Sequence, residues 1–269
     1  GIKGLDASEM SLMRSCGGLL CAVGLVSLVH GADVARLGAS EALIFAALVL
    51  CNNVIGDVFL FFALHRLGVA RGSAIASSYP IIVALASHIF FGSPLTLTII
   101  TGTLFVVAGV ALLCHSDKDE RKLSVSGLAY AFLASIFWAA GLVFNKELLV
   151  EGLSPATIVL GRGVTFFTLA FLIWFFRVLV VKRDINAWRV FLKRDSLYGL
   201  LAGICSLGFG AWFYSRALEY VSPAVATPIG ASNPIIASIL AMFVYKERIR
   251  PSQWAGIALA VGGSILVTL

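Results

Sequence analysis

Charge is what this sequence has least of. Asp, Glu, Lys and Arg make up 13% of its 269 residues, where a soluble domain carries about a quarter. So few charged side chains cannot cover a water-exposed surface, which excludes an ordinary soluble protein. Motifs for hydrolysis are missing as well. There is no Gly-x-x-x-x-Gly-Lys-Ser/Thr loop for a nucleotide, no His-Glu-x-x-His and no Gly-x-Ser-x-Gly, and the four histidines stand apart at 30, 65, 88 and 115. An intramembrane enzyme needs a convergent nucleophile or metal set. None can be assembled, so the reading is of a non-enzyme without metal or cofactor. The five cysteines (Cys16, Cys21, Cys51, Cys114, Cys205) lie in or at the ends of apolar runs. Without metal-ligand spacing they read as small hydrophobes. Asn-x-Ser/Thr acceptors are absent too.

What fills the chain is apolar: 59% of residues are hydrophobic and the mean hydropathy is +0.98. A helix needs about 20 apolar residues to cross roughly 30 Å of hydrocarbon. Nine such runs are present, at 8–30, 39–64, 72–91, 95–114, 125–148, 154–180, 196–218, 222–245 and 251–269. A transmembrane β-barrel would show short alternating segments instead. The pattern is that of an all-α polytopic membrane protein with the lipid bilayer as its partner. The net charge of +6 does not point to nucleic acid, because the basic residues sit in loops between spans.

The chain also repeats itself. Residues 56–113 lie over residues 210–267 with one offset of 154 and no gaps. Tyr79-Pro80-Ile81-Ile82 falls on Asn233-Pro234-Ile235-Ile236, Gly56 on Gly210, Phe59 on Phe213 and Ile75 on Ile229. Ser78 falls on Ser232, Gly102 on Gly256 and Gly109 on Gly263. Earlier in each copy Arg14 falls on Arg162, at an offset of 148. A repeated hydropathy pattern with a proline at one depth in both halves points to a site at the repeat interface. Gly1-Ile2-Lys3-Gly4-Leu5 resembles Leu149-Val150-Glu151-Gly152-Leu153, the loop after span 125–148. The expectation is a ten-helix plan with nine helices present and the first one absent from this chain.

These residues resemble the drug/metabolite transporter (DMT) superfamily, in particular the tandem EamA-domain proteins of ten helices. The marks are the early arginine of each second helix (Arg14, Arg162), the fourth-helix prolines (Pro80, Pro234) and the Glu247-Arg248 turn before the last helix. The fifth-helix glycines (Gly102, Gly109, Gly256, Gly262, Gly263) complete the set. One departure is Gly92-Ser93-Pro94, where the family tends to carry the Glu turn. The resemblance implies two inverted five-helix repeats: 1–116, lacking its first helix, and 124–269. It implies a secondary-active transporter, an exporter working by alternating access, in the inner or plasma membrane of a prokaryote, as monomer or homodimer. The alternatives are a cationic amine or drug transporter of the same fold, and a non-transporting membrane enzyme or scaffold.

An odd number of spans per repeat inverts the second copy, so loops sort to two sides. Fifteen lysines and arginines fall on one side, against Arg36, Lys146 and Arg216 on the other. The positive-inside rule makes the first side cytoplasmic and puts both ends of a ten-span chain outside; the resemblance implies cytoplasmic ends. Within the loop from Lys182 to Asp195, Val181, Ile185, Trp188 and Leu192 recur at helical spacing among basic residues. That suits a segment lying at the headgroup level.

Ionisable groups inside spans are expensive and mark function. Asp57 is the sharpest, because its repeat mate is Ala211 and the duplicated fold needs no acid there. It either exchanges a proton and couples transport, or forms a structural ion pair. Asn53, four residues earlier, shares its helical face. Arg14 and Arg162 obey the symmetry and read as structural or as carboxylate and phosphate ligands; His88 reads as a core histidine. Pro80 and Pro234 each free a carbonyl one turn earlier, and such breaks are tolerated facing protein or a cavity. Ser77, Tyr79 and Asn233 surround them, and Trp138, Asn145, Trp212 and Tyr214 add aromatic and amide groups. The expected substrate site is therefore Asn53, Asp57, Ser77, Tyr79, Pro80, Trp138, Arg162, Trp212, Tyr214, Asn233 and Pro234, with Asp57 as the coupling residue. Arginines with an acid and aromatics suit a small amino acid-like molecule.

Overall fold

Helices alternate with short breaks along the whole computed structural model, which describes residues 5–29, 38–114, 124–182, 187–233, 235–236, 239 and 250–269. In chain order they are α1 (Ala7–Val29), α2 (Ala39–Val49), α3 (Gly56–Leu67), α4 (Val69–Ala76), α5 (Tyr79–Phe91) and α6 (Leu97–Cys114). Then follow α7 (Val125–Val150), α8 (Pro155–Phe176), α9 (Arg194–Gly203), α10 (Ala211–Ala217), α11 (Pro223–Ala231) and α12 (Pro251–Val267). No strand occurs among the described residues. Among the described residues six stretches are long and apolar enough to cross a membrane: Ala7–Leu28, Ala39–Leu67, Arg71–Phe91, Val125–Val150, Pro155–Phe176 and Arg194–Ala217. Leu97–Leu113 and Pro251–Val267 are shorter apolar helices. The expected run 222–245 lies partly outside the described residues, as do Pro234 and the Glu247-Arg248 turn. The fold is all-α and polytopic.

Two of these six stretches contain a π-turn, Leu50–Ile55 between α2 and α3 and Ile204–Gly210 between α9 and α10, and a third π-turn, Arg177–Lys182, follows α8. Leu50 and Ile204 are one repeat offset apart, so the irregularity is duplicated with the sequence. π-turns insert an extra residue into an α-helix and concentrate at functional sites. Nothing in the apolar composition of either span signals them.

The chain divides into two compact units, each drawing helices from both halves of the sequence. The first holds Gly1–Val49 and Asn145–Glu219. Here Leu12 and Met13 of α1, Trp174 of α8 and Val190 form one buried cluster, and Ala22, Val159 and Ala211 form another. A Cβ on Gly203 would stand 2.0 Å from the Arg14 carbonyl oxygen, so α9 crosses α1 at backbone contact. Arg177 pairs with Asp6 at 3.1 Å and Lys193 with Glu9 at 3.4 Å, tying the start of α1 to the end of α8 and the start of α9. The basic segment before α9 departs from the expected spacing. Residues 187–192 form a 3₁₀ turn, three residues per turn. Trp188 and Phe191 therefore share the exposed side with Leu192, while Val190 turns into the core.

The second unit holds Leu50–Phe144 and Tyr220–Leu269. Its spine is the contact of α6 with α12, where a Cβ on Gly102 would meet the Gly263 oxygen at 2.7 Å and one on Gly109 the Gly256 oxygen at 2.6 Å. Numbers rise along one helix as they fall along the other, so the pair is antiparallel. The repeat exchanges Gly102 with Gly256 and Gly109 with Gly263, which turns one contact into the other. A two-fold that does this runs perpendicular to the helices, the arrangement of an inverted repeat. Small residues let membrane helices approach this closely.

At the end of α5, Gly92 takes φ +64°, its N–H reaching the His88 carbonyl at 3.1 Å and the Ser93 N–H the Ser87 carbonyl at 3.2 Å. This left-handed cap stops the helix where a Glu turn would otherwise be expected. His88 is exposed rather than a core histidine, with Nδ1 2.8 Å from the Ser93 carbonyl oxygen.

Candidate functional site

Trp138 of α7 is the centre of the grouping that the second unit assembles. Its indole Nε1 donates to Asp57 Oδ1 at 3.2 Å. Its ring stands edge-on to Tyr79, with centroids 5.9 Å apart and planes at 89°. Asn52 in the π-turn donates from Nδ2 to the Trp138 carbonyl at 3.4 Å, and Asn53 lies half-buried beside it. A Cβ on Gly56 would lie 2.5 Å from the indole, so the glycine is what lets the tryptophan reach the acid one residue further on. An indole N–H can donate to a carboxylate or to the carbonyl oxygen of a protonated acid, so the contact accommodates both charge states of Asp57.

The proline break completes this grouping. α4 ends at Ala76, Ser77 and Ser78 form a turn, and Pro80 falls in the first turn of α5, where its missing N–H costs least. That missing N–H leaves the Ala76 carbonyl without its helical donor. Ser135 of α7, fully buried, lies with Oγ 3.0 Å from the Ala76 oxygen, 3.1 Å from the Ala131 oxygen of its own helix, 3.2 Å from the Ile75 oxygen and 3.4 Å from Ser78 Oγ. The Ala76 oxygen is the nearest of the three carbonyls that share this one hydroxyl hydrogen, so a side chain from a neighbouring helix is placed to replace the donor that the proline removes. Ser135 is the residue of this grouping that sequence reasoning missed. Its only signal is a small hydroxyl residue one turn before Trp138 in an apolar run.

Of the expected residues, then, Asn53, Asp57, Ser77, Tyr79, Pro80 and Trp138 come together in one unit. Tyr79 also packs against Ala231, Val106 and Val110, which brings the breaks of the two halves near each other there. Asn233 is exposed and lines a groove between α11 and α12. Ser232 is a turn at the end of α11, one repeat offset from Ser78, and its N–H reaches the Ile229 carbonyl at 3.1 Å. Pro228, not singled out in the sequence, lies inside α11 and is buried. Arg162, Trp212 and Tyr214 belong to the other unit. Arg162 is half-buried on α8; Trp212 packs on the Ala22, Val159 and Ala211 cluster with its ring 5.0 Å from Phe213; Tyr214 is half-buried on α10. Asn145 is buried in that unit and accepts from Ser215 Oγ at 3.1 Å. Among the described residues no three His, Cys, Asp or Glu side chains gather as a metal centre requires.

An antiparallel glycine seam, duplicated helix breaks at Ser78 and Ser232 and paired π-turns in an all-α membrane bundle ask for a family with this plan. The model of the EamA-like transporter family matches residues 1–114 and again 125–269. The chain belongs to that family. As an EamA-like protein it is similar to an uncharacterized transporter of Archaeoglobus fulgidus, 26% identical over 85% of this chain and 76% of that protein. It is also similar to the uncharacterized transporter YwfM of Bacillus subtilis, 26% identical over 84% of this chain and 73% of that one. A shorter likeness, 32% over 28% of this chain and 67% of the other, is to ArnE of Proteus mirabilis, named a probable 4-amino-4-deoxy-L-arabinose-phosphoundecaprenol flippase subunit. A solved crystal structure matches with TM-score 0.78 over 99% of this chain and 88% of that chain at 16% identity, a likeness of fold. The EamA-like chain is thus a multi-pass integral membrane protein of a transporter family.

Proposed function

We propose that this transporter is secondary-active, exporting a small polar, amino acid-like metabolite by alternating access in a prokaryotic inner or plasma membrane, with a proton moved through Asp57. The observation that carries this reading is the Trp138–Asp57 hydrogen bond at 3.2 Å with Tyr79 edge-on to the same indole. An acid that breaks the internal symmetry, held by an aromatic group beside a helix break, suits a substrate amine. Aromatic faces attract cations, and the acid supplies the counter-charge. Asn53, Ser77 and the Pro80 break add polar groups around it. For Arg162, Trp212, Tyr214, Asn233 and Pro234 the proposal remains that they contact substrate, each to be tested singly.

A cationic amine or drug is the second reading, favoured by the same pairing of acid and aromatics. The cargo in the name of the Proteus mirabilis relative carries an amino group, in keeping with amine recognition. Uptake of labelled amino acids and of labelled cationic amines into proteoliposomes, with and without a pH gradient, separates the readings. Gradient-driven accumulation of the amino acid is expected. Accumulation of the amine alone selects the second reading, and no gradient-dependent movement of either overturns both.

A further inference from the structure

Lys146 and Glu219 line one pocket with opposite charges, yet they do not pair with each other. The pocket belongs to the first unit, where the ends of α7 and α10 frame an open space of about 450 Å³. Small-molecule sites run from about 300 to about 1,000 Å³. Leu149 and Val150 of α7, Ser154 ahead of α8 and Leu218 after α10 complete most of the lining. α7 stops here in a left-handed turn: Gly152 takes φ +88°, its N–H bonds the Leu149 carbonyl at 3.0 Å, and the Leu153 N–H bonds the Leu148 carbonyl at 3.1 Å. That pair of bonds closes a helix end in one defined conformation, and Leu153 is buried beneath it.

Each charge is held by something other than its opposite. The last carbonyls of a helix have no helical donor, and Lys146 Nζ donates to that of Leu218, just past α10, at 2.6 Å. An ammonium carries three N–H donors, and no carboxylate pairs with this one among the described residues. Glu219 is held instead by Arg216 of α10. Beneath the pocket, Asn145 is four residues before Leu149 and Ser215 three before Leu218, so each shares a helical face with a lining residue. Both are buried, and Ser215 Oγ donates to Asn145 Oδ1 at 3.1 Å, which ties the two helices together under the pocket. Asn145 Nδ2 is buried without an acceptor among the described residues, and such a donor calls for an oxygen. The charge sort leaves Arg36, Lys146 and Arg216 on its basic-poor side, and two of those three meet at this pocket.

We infer that this pocket is a binding site for a small zwitterion of the α-amino acid class, separate from the Trp138–Asp57 grouping. The carboxylate lies against the remaining N–H donors of Lys146, in charge-assisted bonds of the stronger kind, and the ammonium lies against Glu219. An acid alone would meet repulsion from Glu219, and an amine alone repulsion from Lys146. A molecule carrying both groups on one carbon answers both charges. The ligand class is read from these side chains, so the inference goes beyond the exporter reading and does not depend on it.

Cysteine protection tests this on the purified full chain in detergent. Val150→Cys places a thiol in the lining at a position 62% exposed, and Val125→Cys, 83% exposed at the other end of α7, is the control. Alkylation by N-ethylmaleimide is followed at each site by peptide mass spectrometry, which separates it from the five native cysteines. Millimolar L-alanine should slow alkylation at 150 several-fold and saturably while leaving 125 unchanged. Propionate and ethylamine at the same concentration should not. Lys146→Gln should remove the protection. Glu219→Gln, which keeps the Lys146–Leu218 bond, should do the same and serves if Lys146→Gln fails to fold. No protection by L-alanine in a monodisperse protein overturns the inference, as does equal protection by propionate or ethylamine. So does protection that survives either substitution in folded protein, or that slows position 125 equally. Protection at 150 in a protein that moves neither labelled amino acid nor labelled amine upholds the pocket while the exporter reading falls. Uptake without protection does the reverse.

Discussion

Gly102 and Gly263 touch backbone to backbone: a Cβ on the first would sit 2.7 Å from the carbonyl oxygen of the second, and the reverse substitution gives 2.6 Å. The same contact recurs one repeat exchange away, between Gly109 and Gly256. Gly262, next in sequence, meets nothing within 4 Å.

Overpacking this seam should therefore be costly and position-specific. Gly102→Leu and Gly263→Leu are each expected to destabilise the protein by about 1–3 kcal/mol or more, because backbone cannot move aside as a side chain can. Gly109→Leu and Gly256→Leu should behave alike by symmetry, and Gly262→Leu should be nearly neutral. Thermal denaturation of the purified variants in one detergent checks the series; a destabilised Gly262→Leu beside a stable Gly263→Leu would contradict it.

Ser135 and Pro80 should be energetically coupled. Ser135→Ala leaves the buried Ala76 carbonyl unsatisfied and is expected to lower stability by about 1–3 kcal/mol. Pro80→Ala restores a backbone N–H for that same carbonyl. In the double variant the Ser135→Ala loss should shrink, so the two changes are non-additive by more than about 0.5 kcal/mol. Strict additivity would mean that the hydroxyl does not serve that carbonyl.

At the Trp138–Asp57 contact, two substitutions separate charge from geometry. Asp57→Asn keeps size and most hydrogen bonding but cannot titrate, so it should abolish gradient-driven accumulation while leaving substrate exchange intact. Trp138→Phe keeps the ring beside Tyr79 and removes the indole donor. It should weaken substrate affinity roughly three- to tenfold, the range for one hydrogen bond of about 1 kcal/mol, with coupling retained. A stable Asp57→Asn protein with full gradient-driven transport would sink the coupling role.

Arg162 is the candidate partner for an acidic group on the substrate. Arg162→Gln should raise KM roughly tenfold or more for a carboxylate-bearing substrate, since hydrogen bonds to charged groups contribute about 1.5–3 kcal/mol, and Arg162→Lys should recover part of it. For an amine lacking the carboxylate, KM should not move. Equal effects on both substrates, or a loss of folded protein, would assign Arg162 to structure.

Much of this architecture could be read from residue order alone. The offset of 154 carried the duplicated break at Ser78 and Ser232, and the glycine pattern anticipated the seam, because both depend on residue types with few substitutes. Charge and hydropathy could not expose the π-turns, since an inserted residue leaves an apolar run equally apolar. Ser135 stayed hidden for a related reason: a lone serine in a span looks like a packing residue until the carbonyl opposite is known to lack a donor. His88 was misread because a residue at a helix end facing outward has the same neighbours in sequence as one facing in. Asn233, mate of Tyr79, shows the opposite limit. The repeat equates the two positions, yet Tyr79 meets Trp138 while Asn233 is exposed, and only coordinates reveal that difference.

The π-turn at Leu50–Ile55 gives α3 a kind of slack. A helix carrying one holds a residue more than its length requires. Drawing that residue into regular α-helix turns everything beyond it by about 100° around the helix axis, one residue's share of a 3.6-residue turn. Asp57 is the first ionisable side chain past this point. Such indexing would re-aim the carboxyl away from the Trp138 indole without melting the span, and the matching turn at Ile204–Gly210 provides the same freedom ahead of Trp212 and Tyr214.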